Sequence, residues 1–229
     1  MKTTEVTYPS NRYGRYCVPA GLEDRPAAKA VIAGQVYEPD TITFMRKHAG
    51  DGDIIHAGTF FGDFLPALSS AMAPGRKVWA FEPNPGNYDA AVETWALNGL
   101  ENVELFNAAL SNRIEKVLFR TRDEKGRPLG GLSHFVLEEG PGVEPVQSAM
   151  LDFTVPLERR VSILQLDVEG HEKQAIRGAF HIIYRWRPIL ILEYFAQEQW
   201  ITRTFRGLGY RKIGKLHGNF VYAADDTEI

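Results

Sequence analysis

Asp167, Glu169 and Glu172 set three carboxylates within six residues, with His171 among them. Crowded carboxylates raise one another's pKa and can serve as a general base. Asp167 and Glu169 are therefore candidates for taking a proton from an attacking hydroxyl, with His171 in reserve. Glu172 is more simply a favourable charge at a helix N-terminus, and a histidine beside it is more often solvated. As a metal site the cluster would suit Mg²⁺ or Ca²⁺; the base reading is preferred and no metal is expected.

A second group precedes it. Gly58 and Gly62 frame G-T-F-F-G, a turn in which backbone approaches a ligand with no Cβ between, although the same spacing also serves helix–strand packing. Glu82 closes the run V-W-A-F, where a carboxylate accepts the hydroxyls of a ribose; a salt bridge beside a helix N-cap is the plainer alternative. The dinucleotide pattern G-x-G-x-x-G is missing, which disfavours a nicotinamide or flavin dinucleotide. A cofactor without pyrophosphate, such as S-adenosylmethionine, remains compatible. His134, in G-G-L-S-H, is read as a loop residue rather than a ligand.

These residues act together only if one fold gathers them. Short apolar runs at 53–57, 78–81, 103–106, 162–166 and 189–192 predict buried strands, and helical spacing follows at 64–72, 88–98, 172–180 and 198–208. Strands alternating with helices give an α/β fold with a doubly wound, mostly parallel sheet. Segments 210–213 and 219–222 read as a closing hairpin that adds an antiparallel edge strand. Residues 116–119 form a strand outside the parallel core, and 120–146, rich in Gly, Pro and charge, read as a long functional loop. Residues 1–25 are an irregular arm, with two short helices before His48. The expected organisation is an arm and helices over 1–48 packed on a main domain over 49–229. Ligands of such sheets bind at the carboxyl ends of the strands, which here are His56 to Thr59, Glu82 to Asn84, Asn107 with Ala108, Asp167 to Glu169, and Glu193.

A chain of 229 residues, 44% hydrophobic and 24% charged, is the size of one α/β domain. A net charge of −3 exerts no global pull on nucleic acid, so a small-molecule or surface-sugar substrate fits better. Cys17 is the single cysteine, which excludes an intrachain disulfide and a Cys-rich zinc site. No apolar run has signal-peptide or membrane-span character, and a cytoplasmic protein with no membrane partner is expected. Trp186, Trp200 and Phe205 are a candidate homodimer face, although aromatics at helical spacing are more often core.

The segments G-D-I-I-H-A-G-T-F-F-G (52–62), V-W-A-F-E-P-N-P-G-N-Y (78–88), L-N-G-L-E-N-V-E-L-F-N-A-A-L (97–110), I-L-Q-L-D-V-E-G-H-E (163–172) and R-P-I-L-I-L-E (187–193) resemble the FkbM family of S-adenosylmethionine-dependent methyltransferases. The resemblance implies a class I methyltransferase, Rossmann-like fold with a seven-stranded sheet whose last strand is antiparallel, and O-methylation of a sugar or natural product. It implies that His56, Gly58, Thr59 and Gly62 lie at the methionine end of the cofactor, Glu82 at its ribose, Asn107 and Ala108 at its adenine, and Asp167 near the methyl group, with Asn84 also among the cofactor-binding residues. Two positions depart from the family's usual V-D-x-G-A-N-x-G: His56 stands in place of the aspartate and Phe60 in place of the asparagine. Gln165 replaces a lysine often found before L-D-V-E-G. A histidine supplies no fixed negative charge for a cationic ligand, so the alternative is a weak or inactive cofactor-binding protein acting as an interaction module.

Overall fold

The computed structural model describes residues 6–193, 195 and 197–227. Seven strands form the central sheet: β1 (Asp53–Ala57), β2 (Val78–Phe81), β3 (Val103–Phe106), β4 (Val161–Leu166), β5 (Ile189–Glu193), β6 (Arg211–Leu216) and β7 (Asn219–Ala223), in the order β6-β7-β5-β4-β1-β2-β3. β1 to β5 run parallel. β7 is antiparallel to both neighbours and lies between β5 and β6, so the hairpin's first strand, not its last, forms the edge. The sequences explain the exchange. N-F-V-Y-A is mostly buried and fits the interior, whereas R-K-I-G-K-L carries the exposed cations that protect a sheet edge.

The central strands are buried on both faces because helices cover both. Ile55, Ala57, Leu164, Leu166, Leu190 and Leu192 pack on one side, and Ile54, Val78, Ala80, Ile163, Ile189 and Ile191 on the other. In chain order the helices are α1 (Pro26–Ile32), α2 (Pro39–His48), α3 (Leu65–Ser69), α4 (Pro85–Asn98), α5 (Leu151–Thr154), α6 (Glu172–Arg177), α7 (Phe180–Trp186) and α8 (Glu198–Thr204). α4 begins three residues before the expected Tyr88. Pro85 occupies the first helical position, where its missing N–H costs nothing, and Asn84 caps Gly86 N and Asn87 N. The helix expected over 172–180 is two helices, broken at Gly178, where a Cβ would lie 2.0 Å from the Ser111 carbonyl oxygen.

The strand expected at 116–119 lies outside the parallel core, and the region expected to be one long loop, 120–146, contains strand at His134–Val136 and from Val143 onward between turns and irregular backbone. Ala109–Leu110, Lys116–Arg120, His134–Val136 and Val143–Ala149 form a second, four-stranded sheet. Flanking glycines and Pro145 had masked its β-branched and aromatic residues. Ahead of the core, the arm is fastened to α4: Asn98 accepts from Arg15 N and donates to Arg15 O, and Cys17 N donates to Thr94 Oγ1. Tyr16, Val18, Leu22 and α1 then pack on Phe60 and Phe61, just after β1. Phe205 is buried, and Trp186 and Trp200 pack partly against the same core. Among the described residues no helix is long and apolar enough to cross a membrane.

Candidate functional site

The carboxyl ends of β1, β2, β4 and β5 open into a cavity of about 370 Å³. Its roof comes from the N-terminal segment, through Arg25, Tyr37 and Glu38, and from residues 130–133 and Phe135 beside the second sheet. Of the residues singled out in the sequence, His56, Gly58, Glu82, Ala108, Asp167 and Glu169 line it; Thr59, Gly62, Asn84, Asn107 and His171 do not.

The excluded residues have structural work instead. Thr59 is fully buried and donates to His56 O. A Cβ at Gly62 would press on Leu65 and Thr94, which makes this glycine a packing residue. Asn84 caps α4 and donates to Ser133 Oγ, while the exposed Asn107 donates to Glu82 O and Pro83 O, latching the loop after β2. His171 stacks on Phe135 at 3.7 Å and meets Ser111 Oγ through Nε2. Gly58, at φ +84, lines the cavity, yet a Cβ there would sit 2.2 Å from Asp167 O. It lets the ends of β1 and β4 close on each other.

Glu82 is 4% exposed. Its Oε1 accepts from Asn84 N at 2.9 Å and from Asn87 Nδ2, and its Oε2 accepts from Phe60 N at 2.7 Å. Phe60 has φ +52, a left-handed backbone unfavourable for a bulky residue, and in that conformation its N–H meets Glu82. Burial pushes the Glu82 carboxyl up to about 7 against the opposing effect of these donors. Asp63, also buried and lining the cavity, is pushed up to about 7 by burial, with smaller contributions from Glu38 and Glu82.

At the far end, Asp167, Glu169 and Glu193 bring one carboxylate oxygen each within 4.8 Å of the others. Burial raises the Asp167 carboxyl well above the ordinary range, and its contact with Glu193 raises it further. Asp167 Oδ1 is enclosed without a partner. Glu169, at φ +50, turns the chain immediately after β4.

A family model for the FkbM methyltransferase domain matches residues 53–212. The chain belongs to the FkbM methyltransferase family. A solved FkbM methyltransferase from Methylobacillus flagellatus superposes with a TM-score of 0.51 at 15% identity, covering 76% of this chain and 44% of that one. This chain thus spans less than half the length of that relative. A Pyrococcus horikoshii protein described as a transferase gives a TM-score of 0.50 at 15% identity, over 97% of this chain and 71% of that one. At such identities the likeness is one of fold, an α/β architecture with a mixed sheet. No curated protein matches the sequence.

Against the usual FkbM pattern, His56 and Gln165 prove to be partners. They face each other across β1 and β4, and His56 Nδ1 is hydrogen-bonded to Gln165 Oε1. Where the family usually has aspartate and lysine, opposite charges, this chain has a neutral pair. Burial lowers His56 to about 4, so the ring is uncharged; its Nε2 is enclosed without a partner, and the ring stacks on Phe64. Sequence reading missed Asp63, Glu38, Arg25 and Asn219 as cavity residues. Glu193 was visible only as a strand end. For Asp63 the available signal was its place directly after Gly62; for Asn219, its place at the start of the terminal strand.

Proposed function

We propose that this FkbM domain binds S-adenosylmethionine and transfers its methyl group to a hydroxyl of a small acceptor, a sugar or natural product. The residues fit the cofactor. Glu82 Oε2 accepts one N–H from the protein and keeps a lone pair for a ribose hydroxyl. His56 Nε2 is an acceptor without a donor, and Asp63 is a buried carboxylate with no ion-pair partner among the described residues. The cofactor's ammonium answers both, so Asp63 takes the electrostatic role that the resemblance gives to residue 56. Arg25, the one Lys or Arg side chain among the described lining residues, suits the cofactor's carboxylate.

When bound, the cofactor supplies an electrophilic methyl on a sulfonium, and the bonding pair stays on sulfur as the methyl leaves. Asp167 and Glu169 hold the acceptor's hydroxyl and take its proton as the new oxygen–carbon bond forms. Residues 1–48 serve as part of the roof over the domain that starts at 49, and with residues 130–135 they select the acceptor. The antiparallel β7 between β5 and β6 supports the class I reading. The observation that carries the proposal is the shared cavity of Glu82, at the end of β2, and Asp167, at the end of β4, within an FkbM domain.

Isothermal titration tests it. S-adenosylmethionine and S-adenosylhomocysteine should bind at micromolar concentration, and NAD should not. If neither of the first two binds, the chain is not a working methyltransferase and the interaction-module alternative takes its place.

A further inference from the structure

The three carboxylates that converge beyond β4 and β5 face one another with His134, which acts on Glu169, as the opposing charge nearby. Among the described residues, none of Asp167, Glu169 and Glu193 forms an ion pair with Lys or Arg, although one oxygen of each lies within 4.8 Å of the other two. A separate observation comes from β7. Asn219 is 2% exposed, lies directly across the ladder from Glu193, and lines the same cavity. Facing residues of an antiparallel pair project from the same side of the sheet. Asn219 Nδ2 donates to Glu38 Oε2 at 2.8 Å, and Oδ1 is enclosed without a donor. Asp167 Oδ1 is orphaned in the same manner.

Buried oxygens without donors are costly, and here every orphan at this end of the cavity is an acceptor beside negative charge. Water would satisfy the amide and a retained proton one of the acids, whereas one divalent cation would answer the acids and the amide together. An all-oxygen set of carboxylates and an amide suits a hard divalent cation.

We propose that Asp167, Glu169, Glu193 and Asn219 form a site for Mg²⁺ or Mn²⁺, and that the methyl acceptor carries two adjacent oxygens that chelate it. The donor set leaves coordination positions open for the acceptor. A cation on the reacting hydroxyl stabilises the oxygen as it loses its proton; the proton passes to a carboxylate oxygen not engaged by the cation. The second oxygen, as in a vicinal diol, an α-hydroxy acid or a catechol, fixes which oxygen faces the methyl donor. Cation binding stands on the geometry alone, whereas the acceptor's chemistry rests on the methyl-transfer reading above.

Electron paramagnetic resonance of the full chain titrated with Mn²⁺, without cofactor, tests the site. One Mn²⁺ per chain is expected, displaced by Mg²⁺, and Glu193→Gln should weaken it at least tenfold while circular dichroism shows the variant folded. Mg²⁺ should also raise the melting temperature of the wild type in a concentration-dependent way, which covers the case of a misfolded variant. Catechol or lactate should alter the spectrum of bound Mn²⁺, and ethanol should not. Folded wild type that binds no Mn²⁺, or a folded variant that binds it equally, overturns the site and leaves the acids to the cofactor's own cation. A spectrum indifferent to catechol and lactate overturns the chelating acceptor. Mn²⁺ binding with no S-adenosylmethionine binding removes the methyl-transfer reading and leaves the cation site standing.

Discussion

An aspartate at position 56 facing a lysine at 165, the residues usual in the family, would place one charge of each sign on adjacent buried positions of β1 and β4, where His56 and Gln165 place none. The two departures read separately in the sequence are therefore one compensated change, and a double-mutant cycle should show it. His56→Asp alone leaves a carboxylate with no cation and should cost about 3–5 kcal/mol. Gln165→Lys alone strands an ammonium at a similar cost, and the double variant should recover about 2 kcal/mol or more relative to the sum. Urea unfolding of the four proteins measures this; strict additivity would sink the pairing. Glu82 invites a simpler test. Glu82→Gln keeps the shape, but an amide cannot accept from Phe60 N and Asn84 N with both of its ends. A loss of about 1–3 kcal/mol in stability is expected, together with at least tenfold weaker binding of S-adenosylmethionine by calorimetry. Unchanged affinity would detach Glu82 from the cofactor.

Among the elements, the roof is held to the core by few bonds. Ser133 Oγ accepts from Asn84 Nδ2 at 2.9 Å and donates to Gly130 O at 2.8 Å, while Asn87 Nδ2 and Arg25 reach Gly130 O and Pro128 O. Ser133→Ala leaves Asn84 Nδ2 a buried donor without an acceptor, at a cost of about 1–2 kcal/mol. That loss is local. Hydrogen exchange should accelerate at the amides of 130–135 and stay constant in β1 and β4; acceleration throughout would mean that the contact supports the whole fold. The sheet that anchors this roof was legible in the sequence, because runs such as I-L-I-L and V-W-A-F need burial on both faces and their ends mark where ligands meet the chain. Of the second sheet only the strand at 116–119 was, since Gly140, Gly142 and Pro145 hide the strand Val143–Ala149 that pairs with it from far off in sequence. The same limit applies within the site. Glu82 and Asp167 announce themselves as strand ends, whereas Asp63, Glu38 and Asn219 become site residues only through tertiary burial, and His171 is drawn away by stacking on Phe135.

The molecule as a whole keeps buried acids around one cavity, and this fixes how its stability depends on pH. Asp63 and Glu82 titrate near 3.8 and 4.5 when unfolded and at about 7 when folded, burial being the main cause for each. Between these limits the unfolded chain has released protons that the folded chain retains, so stability falls as pH rises. The contribution from holding these protons is fully present below about pH 4 and is lost as pH passes through about 7. The ligand-free protein should therefore melt at least about 5 °C higher at pH 5.5 than at pH 8. Cofactor binding should reverse the trend, because an ammonium beside Asp63 and ribose hydroxyls on Glu82 favour the ionised carboxylates. Saturating S-adenosylmethionine should thus raise the melting temperature more at pH 8 than at pH 5.5. Calorimetry at pH 6 in two buffers of different ionisation enthalpy should show protons released on binding, and at pH 8 release should fade as the two groups are already ionised. Proton uptake at pH 6, or a melting temperature flat from pH 5.5 to 8 without ligand, would mean that the cavity acids are solvated in solution and that Asp63 does not meet the cofactor's cation.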